Sequence, residues 1–481
     1  MPLHSFAASL ATPDAIAALR AGLIGEGLEY DTPFGRQRLT YADYTASGRA
    51  LAQVEDFMRE KVLPLYANSH TTTSHCGAFI TSLREQARAV IARHLRVEED
   101  CAVIFTGSGA TSGINRLVSL CGLHDIRDAA RPAAVFIGPY EHHSNILPWR
   151  ESGAEVVEIA ESPRGGPDMA MLERELAARR DRPLLIGAFS AASNVTGILT
   201  DAAAVTRLLK AHGALAIWDY AAAAPYVPMS MRPAKDAPID AIVFSPHKFP
   251  GGPGASGVLA LRESIVRNPR PTWPGGGSVA YVSPWAHDYL KAVAEREEAG
   301  TPNILGDIRA ALAVLVKEAA GQDFITARES EMGARARAVW AKNPRLNILG
   351  NPDAPRLPIF SFTVSGENGR LVHHQLFARM LSDMTGIQVR GGCVCAGPYG
   401  HRLLGVSRAE SERIRAAINA GHEIEKPGWA RLNFSWLMDD ETADRIISDV
   451  DALALKAGKL AHLYEPDEAA GCWRPREQGG A

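Results

Sequence analysis

Cysteine is scarce in this chain, 6 residues in 481. That excludes a disulfide framework and leads us to expect free thiols in a reducing, cytoplasmic setting. Charge of one sign is missing too. Lysine and arginine number 51 against 54 aspartates and glutamates, a net charge of -3, so neither nucleic acid nor an anionic membrane is an expected partner. No apolar run approaches the ~20 residues that cross a bilayer. The opening MPLHSFAASLATPDAIAALRAG lacks a basic stretch followed by a continuous apolar core, so no secretion signal is expected. Internal repeats and low-complexity tracts are lacking, and only the closing REQGGA reads as a frayed tail. What remains, 46% hydrophobic and 22% charged, is ordinary globular composition.

The stretch that organises the chain is IDAIVFSPHKFPGGPGASGVLAL, residues 239–261. Ile242, Val243 and Phe244 predict a short buried strand, and Ser245, His247 and Lys248 the turn that leaves it. Gly251, Gly252, Gly254 and Gly257 follow, then a second strand over 258–261. A lysine at the end of a buried strand costs free energy unless it is paired or chemically used. Desolvation lowers its pKa, which is how an amine becomes a nucleophile able to hold a Schiff base. The glycines allow close approach of a bulky cofactor. A surface lysine on a Pro/Gly turn is the plain alternative, and this motif alone does not separate the two.

Upstream, strands alternate with helices. SLREQARAVIARHL (82–95) is an amphipathic helix. CAVIF (101–105) reads as a strand running into TGSGAT (106–111), and the following helix carries Ile114, Leu117, Val118 and Cys121 on one face. A strand, a loop of small residues and a helix N-terminus make an anion site, although the spacing is not that of a dinucleotide fold. The strands 133–138, 183–189 and 214–219 end in PYEHHSNILPW, SAASNVTG and Asp219. Such alternation predicts a large, mostly parallel α/β sheet, whose ligands gather at the carboxyl ends of the strands. His142, Asn194, Asp219, Lys248 and the small-residue loop all fall at that edge. Singly, each has an ordinary explanation as a core histidine, a turn asparagine or a capping aspartate. Five at one edge point to a site.

The remainder has an α+β pattern: a strand at 361–364, a helix at 373–384, IQVRGGCVCAG (387–397), the strand ARLNFSW (430–436) and a closing helix from Asp440. The expected organisation is an N-terminal arm at 1–37 packed with the small domain, a large domain at 38–310, a smaller C-terminal α+β domain at 311–465, and a tail at 466–481.

The chemistry that fits these residues is that of pyridoxal 5'-phosphate (PLP), which needs an anion nest, a ring to stack on, a carboxylate for its pyridine nitrogen and a lysine for its aldehyde. Lys248 is assigned the Schiff base, Asp219 the pyridine nitrogen and His142 the ring face. Asn194 is assigned the ring oxygen or a substrate carboxylate. Ser108, Gly109, Ala110 and Thr111, with Ser245 and His247, are assigned the phosphate.

Over most of its length the chain resembles the class V aminotransferase-fold enzymes (fold-type I PLP enzymes), the superfamily of cysteine desulfurases and selenocysteine lyases. TGSGAT resembles the family's phosphate loop, EHHSNILPW its EHH segment, SNVTG its SNxxG and SPHK its SxHK. The resemblance implies that His142 is the stacking histidine, that Arg431 binds the substrate's α-carboxylate, and that the protein is a homodimer in which Thr301 of EAGTPN reaches the other protomer's phosphate. Two features differ. DYAA puts Ala222 where many desulfurases carry a glutamine or histidine, closer to the molybdenum-cofactor sulfurases. RGGCVCAG also resembles the sulfurase pattern. By position Cys395 matches the persulfide-forming cysteine, and Cys393 has no counterpart.

Three functions follow as expectations. The first is a cysteine-desulfurase-like or β-eliminating PLP enzyme that uses a Lys248 aldimine and Cys395, with an amino-acid substrate and a sulfur-acceptor protein as partners. The second is class V transamination or epimerase-like chemistry on another amino acid, with Cys395 idle. The third is a nucleotide- or cofactor-binding protein without catalysis. Arg390 is a second basic residue for the substrate, and near the cysteines it favours a thiolate. One C-x-C without a second pair does not make a zinc site, so no metal is expected.

Overall fold

The computed structural model describes residues 2–126, 128, 130–367, 369–468 and 471–476. Seven of its strands form one sheet, in the spatial order Cys101–Gly107, Gly257–Arg262, Ala241–Phe244, Leu215–Asp219, Leu185–Ser190, Ala134–Ile137, Glu155–Glu158. Gly257–Arg262 runs antiparallel to both neighbours, and the other pairings are parallel. AVFI, LIGAFS and AIVF are buried at every position, as strands covered on both faces must be. Ile114, Leu117 and Val118 of the helix Gly109–Leu120 close one face over Ile137, Ile217, Val243 and Leu259. The connecting helices start where capping side chains allow. Asp168 accepts the N–H of Met171 at 3.0 Å, and Asp201 that of Ala204 at 2.9 Å.

The chain divides into two compact units. The first holds the large sheet and comprises residues 2–24, 47–193 and 199–324; the second comprises 25–46, 194–198 and the described residues from 325 on. The expected arm is therefore split. Leu3, Phe6 and Leu10 of the helix Pro2–Leu10 are buried within the first unit. Residues 25–46 belong to the second because Thr40–Tyr41 pairs in parallel with Ile387–Gln388 and the Tyr30 hydroxyl donates to the Ser382 carbonyl at 2.8 Å. The first unit also extends past 310. The helix Ile304–Ala320 is apolar nearly all round and buried along most of its length, which makes it a core element.

In the second unit, Leu346–Ile348, Ile359–Ser365, Trp429–Asn433 and Arg390–Gly392 lie side by side in that order, and Leu371–Val372 also pairs with Ile359–Ser365. Trp340, Phe360, Phe362, Phe377 and Phe434 fill its core with Ile446 and Val450 of the helix Asp440–Leu460. Part of the expected tail is structured: Tyr464–Asp467 pairs antiparallel with Cys472–Pro475. Residues 477–481 lie outside the described residues. The helix Ala52–Phe57 widens into a π-turn at Met58–Val62. Among the described residues no helix is long and apolar enough to cross a membrane.

Candidate active site

In the first unit two chain segments converge at the carboxyl edge of the sheet. Gly107 and Gly109 have φ of 76° and 62°, which glycine adopts at little cost. At Gly109 space also demands it: a Cβ would lie 2.9 Å from Ser245 Oγ and 4.0 Å from His247 Nε2. The Ala110 N–H donates to Ser245 Oγ at 2.9 Å. The 108–111 loop, which opens the helix Gly109–Leu120, therefore meets the Ser245–His247 side of the lysine turn. Burial and the charge of Lys248 push the His247 pKa down to about 4, so its imidazole is neutral at pH 7. Thr111 Oγ1 lies 2.7 Å from Ser144 Oγ, which is 3.0 Å from His142 Nδ1. His142 Nδ1 also accepts the Ser144 N–H at 3.1 Å.

Strand register sets the next residues. Ser190 pairs with Asp219, and Asp219 with Val243. Asp219 is buried, with the Ala221 N–H on Oδ1 at 2.7 Å. Burial raises its carboxyl pKa, while the Ala221 bond and the positive charge of Lys248 act against that rise. Lys248 closes the short turn Pro246–Lys248 and is half-buried. The turn is tied to TASG, whose role the sequence reading missed. Gly48 N–H donates to the His247 carbonyl at 2.8 Å, and the Ser47 hydroxyl to the same oxygen at 3.2 Å. A Cβ on Gly48 would fall 1.9 Å from the Phe249 carbonyl.

Glu141 also went unnoticed in the sequence. It is buried and joins two strand ends, accepting the Ser190 N–H at 2.8 Å, the Ser190 hydroxyl at 2.6 Å and Asn145 Nδ2 at 2.6 Å. Burial pushes its pKa up to about 7 against those three bonds, and the negative charge of Asp219 adds to the rise.

The second unit gathers Asn194, Arg390, Arg431 and the two cysteines. Arg390 and Arg431 face each other across neighbouring strands, an unfavourable pairing of like charges. Asp43 offsets it. Its Oδ2 accepts Arg390 Nε at 3.0 Å and its Oδ1 accepts Arg431 Nη2 at 2.9 Å. Arg431 is buried and donates through Nη1 to the Asn194 carbonyl at 3.0 Å. Arg390, assigned from the sequence to the substrate, is held through Nε by Asp43 while its side chain stays exposed.

The cysteines sit on a tight turn. RGG of the motif is the strand Arg390–Gly392, and the next helix, Gly397–Leu404, begins after Ala396. The loop between them is therefore only residues 393–396. The Ala396 N–H donates to the Cys393 carbonyl at 3.0 Å, and Val394 and Cys395 between them have φ of 44° and 58°. Both are left-handed without being glycine, which costs on the order of 1–3 kcal/mol per residue. Asn194 Nδ2 donates to the Val394 carbonyl at 2.8 Å. Asn194 Oδ1 is buried with no hydrogen-bond partner among the described residues. Cys395 is exposed and Cys393 half-buried.

Thr301 is exposed, on a loop of the first unit. The residues before it are fixed by buried ion pairs. Glu298 accepts the Phe105 N–H at 2.7 Å and Arg88 Nη1 at 2.9 Å, and it also pairs with Arg84, which reaches Asp307 at 2.7 Å. One carboxylate thereby joins the end of the strand Cys101–Gly107 to the Thr301 loop.

Comparison with known proteins adds four findings. The profile of the aminotransferase class-V family matches residues 40–425. A cysteine desulfurase of Escherichia coli is 30% identical over 366 residues, covering 75% of this chain and 85% of the relative. A probable cysteine desulfurase of Pyrococcus abyssi is 29% identical over 316 residues, covering 65% and 75%. Among solved structures, a cysteine desulfurase from Thermococcus onnurineus superposes with a TM-score of 0.72 at 24% identity, covering 86% of this chain and 94% of that one. At that identity the last likeness speaks to the fold, which is that of fold-type I.

Proposed function

The chain belongs to the aminotransferase class-V family, and on that premise we propose that it is a PLP-dependent cysteine desulfurase that moves sulfur from cysteine to its own thiol. One observation carries the cofactor: the buried Asp219 carboxylate, close enough to Lys248 to feel its charge, on the same sheet edge as the cradle of Gly109, Ser245 and His247. That cradle suits a phosphate, since a side chain at Gly109 would fill it and backbone N–H groups open a helix there. Asp219 lies in surroundings that raise its pKa, so a cationic pyridine N–H is the partner that would keep it ionised.

When bound, PLP supplies an aldehyde that captures amines and a ring that accepts an electron pair from the substrate's α-carbon. Lys248 Nζ would hold the aldehyde and would move the substrate's α-proton. Asp219 keeps the pyridine nitrogen protonated, and His142, its ring oriented by Ser144, covers the ring face. Ser108, Gly109, Ala110, Thr111, Ser245 and His247 hold the phosphate. Arg431, fixed by Asp43 and the Asn194 carbonyl, offers its guanidinium to the substrate carboxylate. The Cys395 thiolate takes the sulfur: its S–S bond forms as the substrate's C–S bond breaks, giving alanine and a protein persulfide.

The reading includes a homodimer in which the exposed Thr301 reaches the partner's phosphate, a protein acceptor for the persulfide, and a cytoplasmic setting in keeping with thiols that are all free among the described residues. Ala222, in place of the larger polar residue of many desulfurases, favours a second reading: transamination or epimerisation of another amino acid, with Cys395 idle. The test is to reconstitute the protein with PLP and supply cysteine with a reducing thiol. Stoichiometric alanine and sulfide support the first reading. Turnover of another amino acid with neither product supports the second.

A further inference from the structure

We propose that Asn194 is a positioning residue for the nucleophile, holding the 393–396 turn in the conformation that displays the Cys395 thiol. The proposal rests on the desulfurase reading for its purpose, but not for its geometry. Two adjacent non-glycine residues, Val394 and Cys395, occupy left-handed backbone, and a β-branched residue there is an outlier. The turn's own Ala396-to-Cys393 bond closes it, yet the same four residues could relax toward extended backbone. What opposes relaxation from outside the turn is the Asn194 side-chain amide, bonded at 2.8 Å to the carbonyl of the first left-handed residue.

The residue that carries the amide is itself held. Asn194 is buried, and its backbone carbonyl oxygen accepts from Arg431 Nη1 at 3.0 Å. The bond to the Val394 carbonyl assigns Nδ2 as the donor, which leaves the buried Oδ1 as the acceptor end of the amide. Asn194 therefore joins the guanidinium proposed for the substrate carboxylate to the turn that carries the thiol, and displacing one moves the other.

The test compares wild type, Asn194→Ala, Val394→Gly and the double variant. Its first readout needs neither substrate nor cofactor: the ratio of Cys395 to Cys393 alkylation by limiting iodoacetamide, mapped by mass spectrometry. Wild type should favour Cys395, and Asn194→Ala should lower that ratio about tenfold, the loss of roughly one hydrogen bond. Val394→Gly, which adopts left-handed backbone without strain, should restore the ratio in the double variant. In the second readout, alanine formation from cysteine should fall in Asn194→Ala and recover, at least in part, in the double variant. An unchanged alkylation ratio in Asn194→Ala overturns the proposal, as does a lowered ratio that the glycine does not restore. If wild type makes no alanine, the desulfurase reading fails while the alkylation ratio still decides the role of Asn194.

Discussion

In the proposed function the chemistry turns on Asp219 and Lys248. Lys248→Ala should abolish the cofactor adduct that borohydride traps on the wild-type chain, checked by peptide mapping; an adduct persisting on another lysine contradicts the assignment. Asp219→Ala should keep cofactor through the phosphate cradle but lose roughly 10²–10³ in kcat, the usual scale for a lost electrostatic stabiliser. Near-normal turnover would refute it. Glu141 makes a prediction about pH. Its pKa rises from 4.5 to about 7 on folding, so between those values the folded state binds the proton that the unfolded state has released. Its contribution to stability is thus full below about pH 4.5 and is lost as pH rises through 7. The whole loss is about 3 kcal/mol by linkage. Glu141→Gln cannot titrate, so its stability difference from wild type should move in its favour by that order between pH 4.5 and 8 in urea melts. A pH-independent difference would contradict the shift.

At the scale of elements, local patterns were legible and distant pairings were not. The strands at the sheet edge, the caps Asp168 and Asp201, and the small-residue loop before Gly109–Leu120 follow from short-range periodicity and turn chemistry. The sheet brings together Asp219, Lys248 and the loop as that pattern implied. Asp43 was invisible because its partners Arg390 and Arg431 lie 347 and 388 positions away. Glu141 was hidden inside a segment read for its histidines. The glycines around the cysteines do not mark slack: Gly391 and Gly392 belong to a strand and Gly397 opens a helix. Glu298 shows how elements are locked together. Glu298→Ala should cost about 3–5 kcal/mol, because Arg84 and Arg88 stay buried with less compensating charge. Chemical denaturation checks this, and a loss below about 1 kcal/mol would mean that the network contributes little.

For the whole molecule, the shared-site dimer can be tested by mixing chains. In a heterodimer of a Lys248→Ala chain with a Thr301→Ala chain, shared sites leave one intact and one doubly damaged site, so activity should be about half that of wild type. Activity limited to that of a single Thr301→Ala site would make the sites self-contained. Exposed Tyr281, Val282 and Trp285 on the hairpin that precedes this loop are the kind of apolar surface that association covers. The account as a whole stands on sulfur reaching Cys395. The most direct measurement gives cysteine to PLP-loaded wild type, Cys395→Ala and Cys393→Ala and assays each for protein-bound persulfide and alanine. The account predicts both products in wild type and Cys393→Ala and neither in Cys395→Ala. Persulfide and alanine persisting in Cys395→Ala, or absent from wild type, would contradict it.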